Sequence, residues 1–370
     1  MVTFTQTKEN QQWHTLEDGF DNLTRGTAPM PVPGQDEVLV EIKAVSLNYR
    51  DTEVCNGEYN HHRTLSKRTD PLVPCSDALG VIVAVGPGVA DSTWKVGDRV
   101  LSTFNQSHLS GQIKGADMAS GLGKPLDGVL QTYRVFPSTG LVKAPKYLSD
   151  EEASCLPIAA VTAWMAIFGM EPFGTWSKHD GKPLKGKTVV LEGTGGVAVA
   201  GLQIAKAAGA TTIITSSSDE KLRRAKEELG ADYVINYKTT ENWEEKVMEI
   251  TKENDGADII LETGGAGTLY EALDCIAFGG LISCIGYTSG KEDKGEGNRM
   301  NLNLLALRRN VTLKGIINGP RDRFEEMCEF YERHQIRPVV DKVFGFEQGG
   351  EAIKYLRSGS HFGKVVVKVQ

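Results

Sequence analysis

The stretch Glu192–Ala210 reads EGTGGVAVAGLQIAKAAGA. Within it Gly193, Gly195 and Ala198 match the pattern G-x-G-x-x-G/A. A lone match says little, because a glycine-rich turn that only opens a helix looks the same. The surroundings decide between the two. KTVVLEG (187–193) before it has the texture of a buried strand, and GLQIAKAAG (201–209) after it has that of a helix. In that setting the first glycine makes the tight turn and the second lets backbone approach a pyrophosphate. Ala198 is small enough for close helix–sheet packing. The helix N-terminus then offers free N–H groups and a positive dipole end to phosphate.

Outward from this turn, short apolar runs alternate with helical stretches. TTIIT (211–215), YVIN (233–236), ADIILET (257–263), GLISCIG (280–286) and VTLKGII (311–317) read as strands. DEKLRRAKEELG (219–230) reads as a helix opened by a capping box at Ser217 and Glu220 and stopped at Gly230. Six strands in this order predict a parallel sheet covered on both faces, a complete Rossmann sheet, over 157–318. The first 156 residues are β-rich instead, with EVLVEIKAV (37–45), GVIVAVG (80–86), DRVLST (98–103) and QTYRVF (131–136), and 104–128 reads as a long loop. After Asn318 a helix (321–334) leads into a β-rich tail, 319–370, expected to rejoin the first domain.

The bulk numbers exclude several classes. A chain of 370 residues fits two domains of ordinary size. Its net charge of -7, without a basic run, argues against a nucleic-acid binder. No apolar run reaches the roughly 18 residues of a membrane span. The polar N-terminus lacks a signal-peptide core. Cys55, Cys75, Cys155, Cys275, Cys284 and Cys328 are scattered without a C-x-x-C pair, which is usage of a reducing compartment. The expectation is a soluble cytoplasmic protein that binds neither nucleic acid nor membrane, which leaves room for a small-molecule substrate.

The second strand of such a sheet usually ends in an acid that holds the ribose 2′-OH of NAD. Here it ends IITSSSDEK, with Ser216 and Ser217 in the acid's place and Lys221 following. Hydroxyls and a cation suit a 2′-phosphate and favour NADPH, with NADH possible. Asp219 is the rival reading, and it also suits a helix N-terminus.

The blocks AVSLNYRD (44–51), PLVPCSDALGVIVAVGPGV (71–89), KVGDRV (95–100), LPIAAVTAW (156–164), TSSSDEKLRRAKEELGAD (215–232) and GSHFGKVVVKV (359–369), with the glycine turn, resemble the medium-chain dehydrogenase/reductase superfamily over nearly the full chain. The quinone-reductase and zinc-type alcohol-dehydrogenase-like branch is the nearer one. The resemblance implies an α/β protein with a GroES-like catalytic domain (1–156), a Rossmann NADP-binding domain (157–318), a cleft between them and a homodimer or homotetramer. It carries cofactor contacts onto Thr162 by the nicotinamide, Gly195, Gly196 and Val197 at the pyrophosphate, and Ser216, Lys221 and Tyr237 around the adenosine phosphate. Gly264, Ile285 and Gly286 line later strand ends, and Phe362 and Lys364 return to the nicotinamide side.

Departures from the zinc members carry the chemistry. A cysteine of those enzymes stands where this chain has Asn48, a His-Glu pair where it has Ser76 and Asp77, and a second cysteine where it has Ile158. Zinc needs about three N, S or O ligands from the protein, so no zinc is expected. His61 and His62 are adjacent, but no partner for them is evident. Without a metal, alcohol oxidation needs another strong base, whereas hydride addition to a conjugated carbonyl needs only hydrogen-bond donors for the enolate oxygen. The expectation is NADPH-dependent reduction of a quinone, enone or enal, with Asn48, Tyr59 and Asp51 as catalytic candidates. For Asp51 an ion pair with Arg50 that orders the loop is the alternative. Zinc-free alcohol or aldehyde oxidoreduction and NADPH binding with little turnover are the rival functions. The irregular segments 49–70 and 104–128 name no substrate, and the insert 289–299 reads as a mobile loop.

Overall fold

The computed structural model describes residues 9–60, 70–171, 174–178, 181–253, 255–292 and 300–370. The His61–His62 pair and most of the 289–299 insert lie outside the described residues. The chain divides into two compact units, Met1–Val161 with Gly319–Gln370, and Thr162–Asn318.

The first unit opens with an antiparallel pair, β1 (Asn10–His14) and β2 (Thr24–Ala28). The valine-rich β3 (Glu37–Leu47) follows, then helix α1 (Tyr49–Cys55), β4 (Asp77–Val85), β5 (Arg99–Ser102), β6 (Tyr133–Pro137), β7 (Leu141–Lys143) and helix α2 (Asp150–Ser154). Alternation along β3 puts Val38, Val40 and Ile42 on one face, in a core shared with Ile82 and Phe136. The segment 104–128 is irregular apart from a short 3-10 helix at Gly115–Ser120.

A π-helical turn at Leu156–Ala160 closes this part of the first unit and runs into helix α3 (Val161–Phe168), which opens the second. Strands and helices then alternate: β8 (Thr188–Leu191), α4 (Gly196–Ala207), β9 (Thr211–Ser216), α5 (Asp219–Glu227), β10 (Tyr233–Asn236), α6 (Trp243–Ile250), β11 (Ala257–Glu262), α7 (Leu269–Cys275), β12 (Ile276–Cys284), α8 (Leu302–Arg308) and β13 (Thr312–Gly315). The six strands are parallel, in the order β10-β9-β8-β11-β12-β13. Strand order reverses between β8 and β11, the place where open α/β sheets bind ligands at their carboxyl ends. Helix α5 begins at Asp219, as read from the sequence, and ends at Glu227, short of Gly230. Its N-cap is Ser218, whose hydroxyl accepts from the Lys221 N–H, so the expected Ser217–Glu220 box is not the cap.

From Gly319 the chain belongs to the first unit again, with helix α9 (Arg321–His334), β14 (Val340–Gly345), helix α10 (Gly349–Arg357) and β15 (Lys364–Lys368). Here β15 pairs parallel with β14 and antiparallel with β3, completing a seven-stranded sheet in which β6 also pairs with β3. Among the described residues no helix is long and apolar enough to cross a membrane.

Close packing of α4 on the sheet falls on Gly201 as well as on buried Ala198. A Cβ at Gly201 would lie 2.7 Å from Cδ2 of both Leu191 and Leu261. Both leucines are fully buried in the central strands, so neither has room to swing away. Gly201→Val is expected to destabilise the protein by about 1–3 kcal/mol through overpacking, read from the midpoint of urea unfolding.

Candidate functional site

In the second unit, the carboxyl ends of β8, β9, β11 and β12 gather most of the cofactor residues expected from the sequence. Gly193 has φ +81°, a left-handed conformation that favours glycine. Gly195 is the N-cap of α4, and no side chain caps that helix. The first-turn N–H groups at Gly196 and Val197 therefore retain the donors and dipole that suit an anionic phosphate. Behind the turn, Thr263 and Gly264 follow β11, and Ile285 and Gly286 follow β12, with the Ile285 N–H on the Glu262 carbonyl at 2.9 Å. A Cβ at Gly286 would lie 2.5 Å from the Thr263 carbonyl oxygen, and one at Gly264 2.2 Å from Thr268 Oγ1. Gly286 is thus demanded by close approach of one strand end to the next, and Gly264 by the turn that leads from β11 to the N-cap of α7.

At the end of β9, Ser216 is buried, 3.5 Å from Thr194 across the hydroxyls, and its carbonyl accepts from the Tyr237 N–H. Ser217 is half-buried beside it, Lys221 lies in the first turn of α5, and Tyr237 is exposed just past β10. Asp219 is engaged elsewhere, with its carboxylate accepting from Asn236 Nδ2 at 2.6 Å. On α3, Thr162 is buried, and its hydroxyl has no partner among the described residues.

The first unit holds a separate buried polar cluster. Strand β15 lies antiparallel to β3 with Val365 opposite Leu47, and this register brings Lys364 to Asn48, just past the end of β3. The ammonium of Lys364, a side chain only 5% exposed overall, donates to the Leu47 carbonyl and to Asn48 Oδ1, each at 2.6 Å. It also lies 3.8 Å from an Asp77 oxygen. An ammonium only donates, so it fixes which end of the Asn48 amide faces it. Asn48 Nδ2 is left buried without an acceptor among the described residues.

Asp77 is fully buried; it accepts from the Ser76 hydroxyl at 2.8 Å and from the Ile158 N–H at 3.1 Å. It therefore ties the π-helical turn to β4. Asp51 is likewise fully buried at the start of α1, taking the Asn48 N–H at 2.8 Å and an Arg50 N–H at 3.0 Å. Burial pushes its carboxyl up to about 6, with Arg50 and the Asn48 N–H pulling the other way. Both Asp51 oxygens are engaged, the arrangement of the loop-ordering alternative. Arg50 lies over the rings of Tyr59 and Phe104, 5.0 and 4.9 Å from their centroids. Tyr59 is buried in this cluster, and Phe362 is buried with its N–H on Asp341. Sequence reading placed Lys364 with the dinucleotide; its hydrogen bond to Asn48 is a product of strand register.

A second missed feature is a pair of buried carboxyls, Glu192 and Glu262, at the ends of β8 and β11. The signal was present in the sequence: two apolar strands each close on Leu-Glu before glycine-containing turns, LEGTGG and LETGG.

Comparison with known proteins fits this architecture. Residues 34–146 match the alcohol dehydrogenase GroES-like domain and residues 196–333 the zinc-binding dehydrogenase domain. A zinc-type alcohol dehydrogenase-like protein of Schizosaccharomyces pombe is 41% identical, over 96% of this chain and 98% of that one. An acryloyl-coenzyme A reductase of Sulfurisphaera tokodaii is 26% identical, over 92% of this chain and 94% of that one. The crystal structure of a putative alcohol dehydrogenase from Sinorhizobium meliloti 1021 superposes with a TM-score of 0.83 at 38% identity, covering 99% of this chain and 100% of that one. With both domains matched and a relative so similar across its whole length, the chain belongs to the medium-chain dehydrogenase/reductase superfamily of NAD(P)-dependent oxidoreductases.

Proposed function

We propose that the protein reduces a conjugated carbonyl — a quinone, an enone or an enal — with NADPH and without zinc. The observation that carries this reading is the orientation of Asn48. Its carbonyl is held by Lys364 at 2.6 Å, so its buried Nδ2 is left as a fixed donor with no acceptor among the described residues. A preorganised donor of that kind stabilises charge that develops on an oxygen, and it does so more strongly when water is excluded. The nearby ammonium, held by Leu47 and Asn48, adds a positive field of the same sense.

The residues at the positions of the zinc ligands do not fit zinc. Asn48 already accepts from an ammonium, Asp77 is occupied by Ser76 and the Ile158 N–H, and Ile158 itself offers hydrocarbon. A fixed cation in the middle of this set opposes a second one. For the dinucleotide the fit is good: an uncapped helix start, a glycine turn with positive φ, and an unpartnered buried hydroxyl at Thr162. A reduced nicotinamide, when bound, supplies hydride to the β-carbon of the acceptor. Asn48 then receives the enolate or quinolate oxygen, with Tyr59 as a further donor and water as the source of the final proton, and Asp51 and Lys364 hold Asn48 in place. Ser216, Ser217 and Lys221 support NADPH over NADH, since Asp219 is held by Asn236. The S. tokodaii relative is named for reduction of an acryloyl thioester, itself a conjugated carbonyl.

The test is NADPH consumption with 1,2-naphthoquinone or a short enal, set against oxidation of saturated alcohols. Turnover of the conjugated acceptors and not of the alcohols is expected; the reverse would sink the reading, as would intact NADPH binding with no turnover at all. Asn48→Ala should lower kcat by about 10²–10³-fold while the Kd for NADPH stays within twofold or so. Lys221→Ala should weaken NADPH by about 10–100-fold, as expected for loss of one charge-assisted hydrogen bond, and leave NADH nearly unchanged. Equal losses for both cofactors would contradict the 2′-phosphate assignment.

A further inference from the structure

Strands β8 and β11 lie side by side in register, with Leu191 opposite Leu261. The next residues, Glu192 and Glu262, therefore stand next to each other at the switch point of the sheet. They are 5% and 2% exposed. Two buried like charges on adjacent strands repel strongly unless a cation or a proton intervenes. Among the described residues, the titratable groups whose charge bears on Glu192 are Glu262 on β11, the Cys275 thiol at the end of α7 and the Cys284 thiol at the end of β12; none of these is a cation.

Hydrogen bonds divide the two carboxyls. Glu262 Oε1 accepts from the N–H groups of Gly264 and Gly265 at 3.0 and 2.7 Å and from the Thr268 hydroxyl at 2.5 Å. That is the donor set of an ionised carboxylate. Glu192 Oε2 accepts only from the Thr263 and Gly264 N–H groups, at 3.1 and 3.3 Å. Its other oxygen, Oε1, is buried and receives no donor among the described residues, and the parallel register of β8 and β11 sets the Glu192 and Glu262 side chains side by side. A buried oxygen that receives no donor, beside a second carboxyl, is where a carboxylic acid O–H fits.

We propose that Glu192 and Glu262 share a single proton, forming an acid–carboxylate lock across the two central strands that fixes the floor beneath the glycine turn. Glu192 is the positioning acid and Glu262 the carboxylate. The lock gathers Thr263, Gly264, Gly265 and Thr268 into one network, and the Thr263 hydroxyl donates to the Glu192 carbonyl at 2.9 Å, directly before Gly193. Burial, and then the charge of Glu262, hold the Glu192 acid well above the ordinary carboxylate range. The folded protein thus keeps a proton that the unfolded chain has lost above about pH 4–5, so this site's contribution to stability declines as pH rises through that interval and toward the folded value.

Glu192→Gln tests this. The amide supplies a permanent N–H to Glu262 and an oxygen to Thr263 and Gly264, and it does not titrate. The expected result is a Tm advantage of the variant over wild type that grows from about pH 5 to pH 9, reaching about 2–4 °C or more. Infrared difference spectra at neutral pH should show a carboxylic acid C=O band in the wild type that E192Q lacks. Parallel Tm curves, absence of that band, or failure of E192Q to fold would each overturn the shared proton. A second arm rests on the proposed dinucleotide site: the wild-type Kd for NADPH should rise toward alkaline pH more steeply than that of E192Q. Diverging Tm curves with parallel Kd curves would keep the shared proton and overturn its link to the turn.

Discussion

The candidate chemistry depends on one hydrogen bond, from the ammonium of Lys364 to the carbonyl of Asn48, 2.6 Å long and joining residues 316 positions apart. A buried ammonium is costly unless its protons find acceptors. Here Leu47 and Asn48 supply them, with the Asp77 carboxylate nearby. That requirement is what orients the amide: Asn48 cannot satisfy Lys364 with its nitrogen. The sheet delivers the contact, because β15 returns from the C-terminal part of the chain and pairs with β3 in the register that sets Lys364 beside Asn48. Asp51 secures the other side by accepting the Asn48 backbone N–H. Fold and site are therefore linked through strand pairing, and a slip in that pairing would lose the donor geometry.

In the second unit the same logic operates at strand ends. Parallel strands finish at one edge of the sheet, so the residues that follow them are brought together without being close in sequence. Gly193, Gly264 and Gly286 follow β8, β11 and β12. The conformation or close approach at each excludes a larger side chain. The carboxyl pair beneath them satisfies backbone N–H groups that would otherwise be buried unpaired, which matters where the chain leaves regular structure.

Much of this was legible in the sequence, for identifiable reasons. The six parallel strands announced themselves because strands buried on both faces are short continuous apolar runs, as in TVVL and ADIILE. The glycine turn was readable because its placement between strand and helix is local. The polar strands β1, β2 and β14 were not, since NQQWH, TRGTA and VDKVFG lack a clear period of two. At SSSDEK three serines compete to cap one helix, and only the backbone selects Ser218. The meeting of Asn48 with Lys364 was hidden for another reason: it depends on the register between distant strands, which no local pattern encodes. Arg50 with Asp51, adjacent in sequence, was foreseeable as an ion pair, and the structure forms it.

The central claim is that fixed hydrogen-bond donors, and not a metal, steady the oxygen of the acceptor. The most direct measurement is the rate of NADPH-dependent naphthoquinone reduction by purified protein after exhaustive chelation, alongside its metal content by mass spectrometry. The account predicts an unchanged rate with far less than one metal ion per chain. Loss of activity on chelation, restored by stoichiometric zinc, would contradict it.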